Sequence, residues 1–223
     1  MIYLILMAVI GFSVICLFLN KFGKDILFTV AIGSIIASNI YHIGNYPIQV
    51  GNFIFGLDSI LYTLFLFCII VMLVFYDEKS AKTLMYSSVA SICFTAIIQF
   101  LASLATGGVQ EGVVWGLVSF FVSAIATVIP ILIITKLYKN LENKNLNLLA
   151  NISINIIFAS VVNSFMYYGT MALLSGGVSD NFGEILVGSY LGKLISLAFC
   201  VFSMAILTNS NKNRNSNGKN EII

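Results

Sequence analysis

Residues 185–207 read ILVGSYLGKLISLAFCVFSMAIL, and this stretch decides the fold class. Its length matches the roughly 20 residues that an α-helix needs to cross the hydrocarbon of a bilayer. One charge interrupts it. Lys193 falls about nine residues in, or ~13 Å along a helix, near the middle of a hydrocarbon layer ~30 Å thick. Insertion scales put the cost of a central lysine at roughly 2.5–3.5 kcal/mol. Both interfaces lie too far away for the side chain to snorkel comfortably. Two readings remain: an ion pair that staples the bundle, or a place on a solute or ion pathway, which is the default for intramembrane charge.

Similar apolar runs lie upstream at 2–19, 26–43, 53–76, 83–105, 113–135 and 148–174, separated by short polar breaks. The pattern predicts an all-α polytopic membrane bundle of about seven transmembrane helices. They form one domain, 1–208, followed by a polar tail, 209–223, expected to be disordered. Composition agrees. The 223 residues are 59% hydrophobic and 9% charged, with mean hydropathy +1.01, whereas soluble domains carry about a quarter charged residues. The first run has no basic leader and no small-residue cleavage site, so it reads as a retained helix rather than a signal peptide.

The basic residues divide cleanly. Lys21, Lys24, Lys79, Lys82, Lys136, Lys139, Lys144, Lys212, Arg214 and Lys219 all fall on one side of this topology, and the opposite loops carry none. The positive-inside rule makes that side cytoplasmic, with the N-terminus outside and the C-terminus inside. The location expected is the plasma (inner) membrane, multi-pass. A net charge of +2 without a basic stripe gives no reason to expect nucleic acid.

Polar residues inside the spans are the candidates for chemistry. Asp58 is the only acid clearly inside a span, about five residues into the third. It could meet Lys193 at a similar depth or sit in an outer vestibule. The sixth span, NISINIIFASVVNSFMYY from 151, carries Asn151, Asn155 and Asn163 at four-residue steps, with Ser153, Ser160 and Ser164 on neighbouring faces. Such a polar face can glue helices together or line a cavity. Asn163 stands at about the depth of Lys193. Asn39 and His42 in the second span and Gln99 in the fourth add polar groups. Tyr167, Tyr168 and Tyr190 are interfacial anchors or stacking faces for a planar ligand. Pro130 lies inside the fifth span, where it could bend the helix.

The chain carries one histidine, no HExxH, no GxSxG and no P-loop. Its four cysteines, Cys16, Cys68, Cys93 and Cys200, sit in apolar runs without CxxC spacing. No catalytic residue, metal site or cofactor is expected, and the chain does not read as an enzyme. The candidate solute-binding set is Lys193, Asn163, Tyr190, Asn39, Asp58, Gln99, Asn155 and Tyr167.

Several phrases, taken in order, resemble the VUT family of integral-membrane queuosine-precursor transporters. Residues 20–40, NKFGKDILFTVAIGSIIASNI, are similar to that family's opening, with Phe22, Gly23, Lys24, Leu27, Asn39 and Ile40 fitting its pattern. GNFIFG at 51–56, YDEKSAK at 76–82, VNSFMYYGTMAL at 162–173 and GSYLGKLISLAF at 188–199 follow at comparable spacing. The last phrase matches the family's closing Tyr and Lys with Tyr190 and Lys193. The resemblance covers most of residues 20–207. It implies uptake of a small planar solute, a 7-deazaguanine such as preQ0, preQ1 or queuine, by alternating access around a midplane site. Two departures stand out. The family's acid before the YG phrase falls on Ile70, and its sixth-span Asp falls on Asn163. The partners expected are the solute and the lipid bilayer, with a second copy or an energising subunit as further possibilities. Two other classes stay open: a substrate-binding subunit of an ECF-like importer, for which Gly33 and Ala37 offer a small-residue docking face, and a membrane scaffold that transports nothing.

Overall fold

The computed structural model describes residues 23–43, 47–50, 53–105, 111–144, 146–174 and 182–217. The expected first span, 2–19, lies outside the described residues, as do the glycine-containing loops at 106–108 and 175–177. Six helices and one hairpin are described: α1 (Lys24–Ile43), β1 (Pro47–Val50), β2 (Phe53–Gly56), α2 (Leu57–Phe75), α3 (Glu78–Ala105), α4 (Glu111–Glu142), α5 (Leu148–Leu174) and α6 (Phe182–Asn217). Helices α1 to α6 answer to the second through seventh apolar runs.

Four helical segments are long and apolar enough to cross a membrane: Glu78–Ala102, Val114–Glu142, Leu148–Leu174 and Leu186–Ser203. Ser59–Phe75 is a shorter apolar helix. The protein is therefore a multi-pass membrane protein built as a helical bundle.

Neighbouring helices close a ring in the order α1, α2, α6, α5, α4, α3 and back to α1. Helix α2 lies deepest, because it also touches α3 and α5. Its run FLFCIIVM is apolar on every face, and Phe65 through Met72 are all buried without a break. A helix that is apolar all round belongs in the centre of a bundle. The outer helices bury one stripe each. Helix α3 buries Ala81, Leu84, Met85, Ser88, Ile92 and Ala96, and exposes Phe94, Ile97, Ile98 and Leu101 on its other side. Large exposed apolar side chains at three- and four-residue steps are what lipid-facing helices present. Hydroxyls within α3 are neutralised locally: Thr83, Ser88, Ser91 and Thr95 each donate to the carbonyl four residues back, at 2.8–2.9 Å.

Helix ends follow their local chemistry. The Asp77 carboxylate accepts from the Ser80 amide and hydroxyl, both at 2.7 Å, and caps α3. The Asn147 side chain accepts from the Leu149 amide at 3.2 Å and caps α5. Gly23, just before α1, holds φ at +60°, a left-handed conformation suited to glycine.

Three sequence expectations change. The stretch expected to be an outer loop and the start of the third span is an antiparallel hairpin, with Val50 opposite Phe53 and Pro47 opposite Gly56. Apolar residues bounded by Gly and Pro suit a strand as well as a short helix segment, and periodicity alone does not separate them. Helix α2 consequently begins at Leu57, so Asp58 is its second residue and lies in the first turn, not about five residues deep. A helix N-terminus accommodates an acid well. Finally, α6 continues to Asn217, so residues 209–217 of the expected disordered tail are helical. Extending an existing helix costs far less than nucleating one.

Candidate functional site

Lys193 lies near the middle of the apolar segment Leu186–Ser203 and is 4% exposed. Helix α6 turns Gly188, Ser189, Gly192, Lys193, Ser196, Leu197 and Cys200 inward and leaves Val187, Ile195 and Phe202 outside. The two glycines remove side-chain bulk on the buried face and permit close helix approach. There the hydroxyls of Ser59 and Ser189 lie 3.2 Å apart between α2 and α6.

The described contacts of the ammonium come from two other helices. Lys193 Nζ donates to Asn163 Oδ1 at 2.8 Å and to Ser164 Oγ at 2.7 Å, both on α5. It also stands over the Tyr62 ring on α2, 5.0 Å from the centroid, within the range of a cation–π contact. Tyr62 is 5% exposed, and its hydroxyl is buried without a hydrogen-bond partner. A buried donor in that condition costs free energy.

Asn163 has a second bond. Its Nδ2 donates to the carbonyl of Ala126 on α4 at 3.0 Å. That carbonyl is four residues before Pro130, inside the helix. A regular α-helix would close it with the N–H of residue 130, and proline has none. The Asn163 amide thus replaces a missing helix hydrogen bond with one end and receives Lys193 with the other. The site is where α2, α4, α5 and α6 meet.

Below it, the polar face of α5 serves packing. Asn151 Nδ2 donates to the Tyr138 carbonyl on α4 at 3.1 Å. Asn155 Nδ2 donates to the backbone carbonyl and the side-chain oxygen of Asn151, at 2.8 and 2.7 Å. Above it, the Ser119 and Tyr167 hydroxyls lie 2.6 Å apart, and the Tyr167 and Tyr168 rings meet edge to face at 5.2 Å. These contacts fix an antiparallel α4–α5 register along its whole length. Asn155 Oδ1, Ser160 Oγ and Thr127 Oγ1 stay buried without partners.

The structure thus brings Lys193 and Asn163 into direct contact. Asn155 and Tyr167 lie on the same helix as Asn163, to either side of it, with partners of their own. Tyr190 is half-buried on α6, one turn before Lys193. Gln99 is half-buried on α3, which packs chiefly on α1, α2 and α4. The side chains of Asn39, His42 and Asp58 lie outside the described residues. In the backbone, Asp58 precedes Ser59, which sits opposite Ser189, one turn from Lys193. Tyr62 and Ser164 are contacts of the lysine that the sequence reading did not select. Ser164 shares the polar face of its helix. Tyr62 stands in the run ILYTLFLF, where nothing in the periodicity marks it.

The surroundings of Ile70 and Asn163 suit the residues present there. Ile70 is fully buried in the apolar core of α2, where an unpaired carboxylate would be costly. At 163, an ionised aspartate could accept from Lys193 but could not donate to the Ala126 carbonyl.

At the basic end, the starts of α1 and α3 and the ends of α2 and α4 gather. Glu78 pairs with Lys82 at 2.7 Å and also with Lys139, joining α3 to α4. Among the described residues no group of three or more His, Cys, Asp or Glu could hold a metal ion. No protein-family model, no curated protein and no solved structure matches the chain.

Proposed function

We propose that this protein is a transporter that takes up a small planar solute through a seven-helix bundle, with Lys193 in the solute pathway. The observation that carries this reading is the position of Lys193. A lysine 4% exposed, near the middle of the apolar segment Leu186–Ser203, in contact with Asn163, Ser164 and the Tyr62 ring, is costly to insert and poorly suited to lipid. The unpartnered Tyr62 hydroxyl beside it offers a further ligand contact. Seven spans, counting residues 2–19, with the basic end cytoplasmic, put the N-terminus outside and the C-terminus inside. The ordered resemblance to the VUT family points to a queuosine precursor as the solute.

The test is uptake. Bacteria unable to make queuosine precursors are given preQ0, preQ1 or queuine at low concentration, with the wild-type chain or Lys193→Ala at matched membrane levels. Queuosine in tRNA is measured by mass spectrometry. Restoration by wild type and not by Lys193→Ala is the expected result. No restoration by either protein, with both in the membrane, rules out these solutes.

A further inference from the structure

Asn163 is 8% exposed and makes two bonds of opposite sense. Its amide nitrogen gives a proton to the Ala126 carbonyl, and its amide oxygen accepts one from Lys193. An amide has two ends of nearly equal shape and opposite hydrogen-bonding character. Turned over, it would set its NH2 against an ammonium. Something must hold it the right way round. The Ala126 carbonyl does so, and it is available because residue 130 is a proline. Pro130 is buried. It acts through the backbone it leaves open.

We propose that Pro130, by leaving the Ala126 carbonyl without its intrahelical partner, orients the Asn163 amide and so presents the acceptor end to Lys193. Pro130 and Asn163 are then positioning residues for the lysine. Four helices enter one unit: the break in α4 is joined to α5 by the amide, to α6 by the lysine, and to α2 by the Tyr62 ring beneath it. The consequence for uptake rests on the transporter reading, whereas the hydrogen-bond logic stands on the geometry alone.

A double-mutant cycle on the purified protein tests the geometry. In the native background, Asn163→Ala leaves the Ala126 carbonyl unpaired, and we expect Tm to fall by about 5 °C. In the Pro130→Ala background the restored N–H closes that carbonyl, and Asn163→Ala should cost no more than half as much. The lost bond to Lys193 is common to both arms and cancels. Asn163→Asp gives a sharper contrast. With Pro130 present, a carboxylate oxygen faces the Ala126 carbonyl and Tm drops. With Pro130→Ala it faces only the lysine and is tolerated. Equal shifts in the two backgrounds overturn the proposal.

Any residue other than proline restores the N–H, so Pro130→Ser and Pro130→Val run the same cycle if Pro130→Ala does not accumulate. If none of the three folds, the break is needed for the shape of the bundle and the orienting role falls. Uptake supplies a second readout. Pro130→Ala should raise the apparent KM severalfold at matched membrane abundance, and adding Asn163→Asp should recover much of the loss. A coupled Tm cycle without uptake by any protein, wild type included, would keep the orienting role and rule out these solutes.

Discussion

Lys193→Met separates a lysine that works on a solute from one that holds the bundle together. Methionine fills a similar volume with no charge. The substitution removes the cost of burying an ammonium, about 2.5–3.5 kcal/mol at the centre of a span. Against this, Asn163 Oδ1 loses its donor, which costs about 1–3 kcal/mol for a buried acceptor left unmet. Ser164 loses the same partner, but its hydroxyl can turn to the carbonyl one turn back, as Ser88 and Ser91 already do. The contact with the Tyr62 ring, 5.0 Å from the ammonium, is worth about 0.5–2 kcal/mol. Over these contacts, gains and losses nearly cancel. The variant should reach the membrane at wild-type levels and melt within about 4 °C of wild type, while solute uptake falls to background. Melting of purified protein and uptake in cells at matched abundance provide the two numbers. A large loss of stability would show that the lysine staples the bundle. Full uptake with normal stability would remove it from the pathway. Either result excludes the proposed role of Lys193.

Tyr62→Phe removes a buried hydroxyl that has no partner, so Tm should stay level or rise, while a solute that uses this hydroxyl should show a raised KM in uptake. Tyr167→Phe breaks the 2.6 Å contact with Ser119 and should cost about 1 kcal/mol, read as a Tm drop of about 2–4 °C with uptake retained. The two bonds from Ser80 hold the Asp77 carboxyl below its usual range. Its contribution is therefore complete above the unfolded carboxyl value near pH 4 and is lost as pH falls through the lower folded value. Asp77→Asn should flatten the acid limb of a Tm-against-pH profile, and an unchanged limb would show that the cap does not titrate in this range.

The bundle is legible in the sequence because bilayer-spanning helices announce themselves by length and composition. The apolar runs and the helices agree from α3 to α5 within a few residues at most ends. The hairpin at 47–56 was not legible, since PIQV and FIFG carry no signal that separates a strand from the beginning of a helix. Because the helix starts only at Leu57, Asp58 lies in the first turn of α2 rather than inside a span. The polar face of α5 was visible from the spacing of Asn151, Asn155 and Asn163, all now buried. What spacing cannot express is which helix each side chain reaches. Asn151 and Asn163 both find carbonyls of α4, and only the second of these is open because of a proline. Tyr62 stayed hidden because a tyrosine in a fully apolar helix resembles any other core aromatic until a charge from another helix is placed over its ring. Asn163 stands out by its depth in a span, and Pro130 as a proline inside a helix. Their connection is a tertiary fact, 37 residues apart from carbonyl to amide.

If a solute crosses the membrane at Lys193, as proposed, flux through the isolated protein will depend on that side chain. Purified wild type and Lys193→Met are reconstituted into liposomes, and influx of labelled queuine is followed against protein-free vesicles. Saturable influx is expected with wild type and none above the protein-free level with Lys193→Met, both proteins being folded by their melting curves. Equal influx with the two proteins would contradict the proposal.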